Sequence, residues 1–248
     1  MSLMAGFDLV AEISNEMFRK LLEKNLKIGG VPLELREHGT HSVTTLLGQE
    51  HHQFRGIAPR VRLLVAKVVD PESIATPRAV AEAIAWLVSS HAQVMALPLG
   101  DFIEHEEVSQ QIERSAACGT LFFAAAGNAY PEPLLFPARH PLAIAVGGAD
   151  FAGSLLPECC RLPRLDLVAP AWKIVAPIRD HIPGWRCGSS VACVIAAGVA
   201  MLALSASRVP ATSLCRESIL AVLRRTPAVR APPKLIRESK SDGQFLDK

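Results

Sequence analysis

The chain has 248 residues, half of them hydrophobic, and a formal net charge of +2 at neutral pH. That length suits one domain with a single core, and the near-neutral charge provides neither the basic stripe of a nucleic-acid binder nor a polybasic membrane patch. Few aromatics beside many Ala, Val, Leu and Ile favour an α/β core, in which parallel strands read as continuous aliphatic runs.

Residues 9–27 place Ile13, Met17, Leu21 and Leu22 on one side with charged residues interleaved, which predicts an amphipathic helix stopped at Gly29-Gly30. A second helix is expected to begin at His38-Gly39-Thr40-His41 and to run through Leu47. Val61–Val69 is β-branched and aliphatic and ends at Asp70-Pro71, so it reads as a strand. The chain then alternates: helix 76–90, strand 93–97, a mostly polar helix 104–117, strand 120–126 and strand 142–146. Such alternation implies right-handed βαβ units and a mostly parallel sheet covered on both faces, an α/β/α three-layer fold.

Residues 153–185 are proline-rich, with one short strand expected at 165–168. Val191–Ala206 is the most apolar stretch; at about 16 residues it falls short of the roughly 20 that span a bilayer, so it predicts a buried helix. A last helix is expected at 212–225, giving a domain over 1–225 and a Pro-rich charged tail over 226–248. The six cysteines form no C-x-x-C pair, which argues against zinc and for reduced thiols in a cytoplasmic protein. The start of the chain shows no basic region followed by an apolar one, so no signal peptide is expected.

Three strings can carry chemistry. Gly188-Ser189-Ser190-Val191-Ala192 puts a serine at the start of an apolar helix, where free N–H groups and the positive dipole end can bind an oxyanion. Serine also caps helices routinely, so alone this string is ambiguous. His38 supplies an imidazole, the base a serine nucleophile needs, and Asn128, just past Ala124-Ala125-Ala126-Gly127, supplies a side-chain amide that can reach a developing oxyanion. His41 with His51-His52 could be imagined as a metal site, but adjacent histidines point apart and no carboxylate or cysteine pattern supports them. No cofactor is expected.

Taken together, these strings resemble the subtilisin-like serine peptidases of the S8 type. His38-Gly39-Thr40-His41 is similar to the family's histidine motif, Ala124–Asn128 to its oxyanion segment, Leu165–Pro170 to its proline-bearing strand, and Gly188–Ala192 to its nucleophile motif, with Gly198 at the matching place in the helix. The resemblance spans about residues 5–225 and implies a subtilisin fold that cuts peptide or protein substrates through an acyl-enzyme. In it Ser190 is the nucleophile, His38 the base and Asn128 an oxyanion donor; the acid that orients the imidazole is assigned to Asp8, 30 residues before His38, with Glu12, Glu34 and Glu37 as the other carboxylates open to the role.

The departures bear on activity. Leu9 and Val10 replace the small residue and glycine that usually follow the acid, Val194 and Ile195 stand for the usual proline and histidine, and Pro98-Leu99-Gly100-Asp101 replaces Ser-Leu-Gly-Gly. Two other readings therefore stay beside the hydrolase: a pseudoprotease that binds a peptide or partner without cutting it, and an acyl-transfer ligase or macrocyclase. Small cytoplasmic relatives with similar motifs include the maturation proteases of cyanobactin-like ribosomal peptides.

Overall fold

The computed structural model describes residues 3–8, 33–49, 54–69, 75–178, 183–207, 215–226 and 229. The helix expected over 9–27 and nearly all of the tail over 226–248 lie outside them.

Its centre is a six-stranded sheet. The strands are β1 (Leu3–Asp8), β4 (Arg62–Lys67), β5 (Val94–Leu97), β6 (Leu121–Ala125), β7 (Ile144–Ala149) and β8 (Leu167–Pro170), in the order β4-β1-β5-β6-β7-β8. The pairs β5·β6, β6·β7 and β7·β8 are parallel, whereas β1 is antiparallel to both of its neighbours. Every residue of β5, β6 and β7 is buried, as expected of strands with helices on both faces.

Helices α2 (Pro77–Ser89) and α3 (Glu106–Ala117) lie side by side along one flank, α2 against β4 and α3 against β6. Thr76 starts α2 by accepting the Ala79 N–H on its hydroxyl at 3.2 Å, and Pro77 fits the first turn, where an N–H would lack an intrahelical partner. The other layer is built on α4 (Ser189–Ser207), which packs on β5 to β8, on α1 (Leu33–Leu47) and on α5 (Arg216–Leu223). By length and composition α4 could cross a membrane, but most of it is buried in the core, as its apolar run predicts. At Gly198 a Cβ would stand 2.8 Å from the Leu46 side chain, so the missing side chain is what lets α1 lie close on α4.

Two features differ from the sequence expectation. Helix α1 begins at Leu33, not at His38, because Leu33-Glu34-Leu35-Arg36-Glu37 are all good helix formers with no breaker among them. His38 is therefore inside a helix rather than at its start. The proline-rich region also holds more order than expected, since β9 (Ile174–Pro177) pairs antiparallel with β10 (Pro183–Arg186). Outside that region, a short antiparallel pair joins β2 (Gly48–Gln49) to β3 (Phe54–Arg55).

One buried ionic cluster ties α5 to the sheet. The Asp166 carboxylate accepts the Ala145 N–H at 2.9 Å, pairs with the Arg216 guanidinium and meets Arg164 at 3.3 Å, while Arg216 and Arg164 also donate to the Ala143 carbonyl. Asp166 is the buried member, and removing it leaves the Ala145 N–H and two partly exposed guanidiniums without their shared acceptor. Asp166→Ala is expected to lower stability by about 3 kcal/mol, read as a fall in the urea midpoint at an unchanged m value.

Candidate active site

The carboxyl ends of parallel strands are where α/β sheets bind ligands, and the helix start that carries Ser190 is anchored there. The Gly188 N–H donates to the Ala171 carbonyl just beyond β8, at 3.0 Å, and Asn128 sits just beyond β6. Two hydrogen bonds lock the helix start to the Asn128 turn. The Ser189 N–H donates to Asn128 Oδ1 at 2.9 Å, and the Gly127 N–H donates to Ser189 Oγ at 3.0 Å. Gly188 has φ +109°, and a Cβ there would meet the Asn128 amide nitrogen at 2.7 Å, so both the backbone turn and the amide's place require glycine.

The consequence concerns donors. Because Oδ1 is committed to the Ser189 N–H, the Asn128 amide can face only one way, with Nδ2 as its free donor. The Val191 and Ala192 N–H groups already meet the Gly188 carbonyl, at 3.1 and 3.4 Å, whereas no hydrogen bond is recorded for the Ser190 N–H among the described residues. Two donors are thus left at the point where a carbonyl attacked by Ser190 Oγ would develop charge.

His38 comes from α1. Leu46 lies as far beyond His38 in its helix as Gly198 lies beyond Ser190, Leu46 packs on Gly198, and Arg186, just ahead of Gly188, acts on His38 electrostatically. The two helices therefore run side by side from the same end, with His38 and Ser190 level. Buried His41 fixes α1 against β9 through its Nε2, 2.8 Å from the Ile174 carbonyl, and Thr44 donates to the Pro177 carbonyl at 2.6 Å. No hydrogen bond between Ser190 and His38 is recorded, and His38 Nδ1 is buried without a partner.

Asp8 is not placed beside these groups. Since β1 runs against its neighbours, Asp8 stands opposite Arg62, and Phe7 opposite Val94, at the end of the sheet where β4 and β5 begin. The contacts among the described residues thus join the Asn128 turn to the helix start that carries Ser190 and pack the helix of His38 beside that helix.

Other residues support the site without an obvious sequence signal. Ser189 carries no signal of its own in the sequence beyond its place in the nucleophile motif, yet its backbone and hydroxyl hold the turn described above. Buried Cys160 holds it from the other side, its N–H on the Gly127 carbonyl at 3.0 Å and its sulfur accepting the Ala129 N–H at 3.3 Å. Cys159 and Cys193 are core thiols whose burial raises their pKa, that of Cys159 to about 11. Among the described residues no cluster of histidine, cysteine or carboxylate side chains is arranged for a metal, and His51-His52 lie outside them.

Burial sets the charge state of both histidines. Desolvation, reinforced by Arg186, lowers the His38 pKa to about 3, and burial lowers that of His41 as well. The unfolded chain binds these protons near pH 6.5, so the histidines' contribution to stability is complete above that pH and is lost as pH falls toward 3. Urea midpoints are expected to fall steadily from pH 7 to pH 4, and His38→Gln is expected to flatten part of that slope.

Comparison with known proteins identifies the family. Residues 30–240 match the family model Peptidase_S8, the subtilase family. A thermophilic serine proteinase of Bacillus sp. strain AK1 is 29% identical over 179 residues, 71% of this chain and 45% of that protein, and the subtilisin of Bacillus pumilus is 27% identical over 173 residues, 68% of this chain and 63% of that one. The chain therefore spans about half to two thirds of the length of these relatives. Among solved structures, the prenylagaramide maturation protease PagA matches with a TM-score of 0.65 at 28% identity, covering 68% of this chain and 64% of its own. The patellamide maturation protease PatA matches with a TM-score of 0.63 at 27% identity, covering 68% and 65%. With a family match over most of its length and a site built from the same strings, the chain belongs to the subtilase family of serine peptidases.

Proposed function

We propose that this chain is an endopeptidase that cuts peptide bonds through an acyl-enzyme on Ser190. The observation that carries the reading is the pair of free donors, Ser190 N–H and Asn128 Nδ2, held by the Ser189 clamp at the start of α4. Ser190 Oγ attacks the scissile carbonyl and gives its proton to His38. The oxyanion is held by the two donors, and the imidazolium then protonates the departing amine. Water, activated by the same imidazole, releases the acyl group.

The base is neutral at physiological pH, as its task requires, but its cation is costly in the buried setting described above. A carboxylate facing Nδ1 would repay much of that cost. Chain order assigns this part to Asp8, while the course of β1 argues against it; Asp8 is thus the weakest member of the proposed triad. The similarity to PagA and PatA supports a processing role over general digestion, and six unpaired cysteines suit a reducing, cytoplasmic setting.

Labelling by a fluorophosphonate tests the nucleophile directly. Wild type is expected to react and Ser190→Ala to stay unlabelled; a folded wild type that does not react would leave a peptide-binding pseudoprotease. Asn128→Ala is expected to cut turnover by about 10² to 10³, the range known for the corresponding donor of subtilisin itself, with KM changing little. Asp8→Asn separates the two views of the acid: a drop of about 10⁴ in turnover would establish it as the orienting carboxylate, and unchanged turnover would remove it from the mechanism. Product mass distinguishes a linear cut from transfer to an amine.

A further inference from the structure

A cleft of about 70 Å³, open to solvent, lies between α2, α3 and the segment after β5. Its walls are apolar, chiefly Val80, Leu97, Leu99, Val108 and Phe136, and its polar lining comes from Asp101 and His105. We propose that this cleft receives a peptide side chain with an apolar stem and a cationic head, lysine or arginine, and that Asp101 is the residue that selects the charge. The proposal rests on the peptide-cleaving reading above and names its substrate class.

The cleft belongs to the catalytic face. Leu97 stands in register with Ala124, so the segments that follow β5 and β6 emerge together. One side chain, Leu135, separates them: a Cβ on Gly100 would stand 2.9 Å from it, and a Cβ on Gly127, beside Asn128, 2.6 Å from it. A peptide whose scissile bond meets Ser190 would have to reach over Leu135 to enter the cleft. The side chain that fills it is thus not the one at the bond being cut.

Main-chain recognition along this segment is weakened. Pro98 has no N–H to offer, and the Asp101 N–H and carbonyl are both spent on Phe136, each at 2.8 Å. Selectivity then falls to the pocket. The Asp101 carboxylate is half exposed at the rim, and its pKa is held below the usual carboxylate value by the hydrogen bond from His105, at 2.9 Å, and by the Ile103 N–H. A carboxylate has about four acceptor positions, so room remains for a cation. His105 is steadied by edge-on packing against Phe136.

The surrounding charge favours the same ligand. Glu104, Glu106 and Glu107 follow Asp101 in sequence, and Glu82 is on α2; the opposing cations are Arg78, paired with Glu82, and Arg139, which donates to the Phe102 carbonyl and stacks over Phe136. Lysine and arginine can bury an aliphatic stem against apolar walls while the head stays at the wet rim. An acidic side chain would be repelled there, and a purely aliphatic one would leave Asp101 partly desolvated with nothing gained.

The test walks a single lysine, norleucine or glutamate through each position of an otherwise constant peptide and measures binding to the full chain carrying Ser190→Ala, at low salt. At one position lysine is expected to bind about fivefold more tightly than norleucine, the most that a half-exposed ion pair supports. Adding Asp101→Asn should bring that ratio to about one, and Asp101→Lys should turn the preference toward glutamate. Lysine without advantage at any position, or an advantage that survives both Asp101 variants, overturns the proposal. Fluorophosphonate labelling of wild type reports on Ser190 independently, so an intact lysine preference without labelling would discard the peptidase while keeping the pocket.

Discussion

The catalytic arrangement depends on one constraint, the fixing of the α4 start to the carboxyl ends of the parallel strands. Two hydrogen bonds to Ser189 and one from Gly188 to Ala171 do this, and each is made by backbone or by a short side chain with little freedom. The same contacts that satisfy the helix's orphan N–H groups decide which N–H stays free. Capping and oxyanion binding are therefore one arrangement: a conventional cap by Ser190 would tie up the Oγ that must attack, and Asn128 instead accepts the Ser189 N–H.

The rest of the fold can be understood as support for that end. The apolar length of α4 buries it against four strands, and Gly198 brings α1 close enough to set His38 level with Ser190. His41 and Thr44 then fix α1 on β9, which also leads through its partner β10 into Gly188. Base and nucleophile are consequently positioned by one continuous set of contacts. The opposite layer, α2 and α3, forms the Asp101 cleft where it meets the segment after β5.

Much of this was legible in the sequence because burial on both faces leaves a plain signal. The strands over 93–97 and 120–126 and the helix over 76–90 came out within a residue or two of their observed bounds, since aliphatic runs and alternating lengths leave few other folds. The start of α1 was not legible: His38-Gly39 looks like a helix start, and only the propensity of the preceding residues carries the helix back to Leu33. The β9–β10 pair was hidden by Pro177 and Pro183, which weaken a strand pattern but are tolerated in a two-stranded edge pair. The direction of β1 was hidden for a deeper reason: a strand's residues report which faces are buried and say nothing of which way the chain runs. Asn128, His38 and Ser190 were readable as motif members, whereas Ser189 acts through its backbone, which every residue shares.

The electrostatics of His38 turn this difference into a mechanistic question. An imidazole buried beside Arg186 is a stable neutral base but a poor acceptor, because the cation it must become has no counter-charge among the described side chains. Oxyanion stabilisation cannot remove that cost, since the two charges arise on different atoms at the same moment. Either a carboxylate reaches Nδ1 or turnover stays low even with a well-formed oxyanion hole. The nucleophile and its donors depend on contacts within the core, so they would persist in a chain that had lost its acid. Active peptidase and silent descendant would then share the clamp at Ser189 and differ only at the far nitrogen of His38.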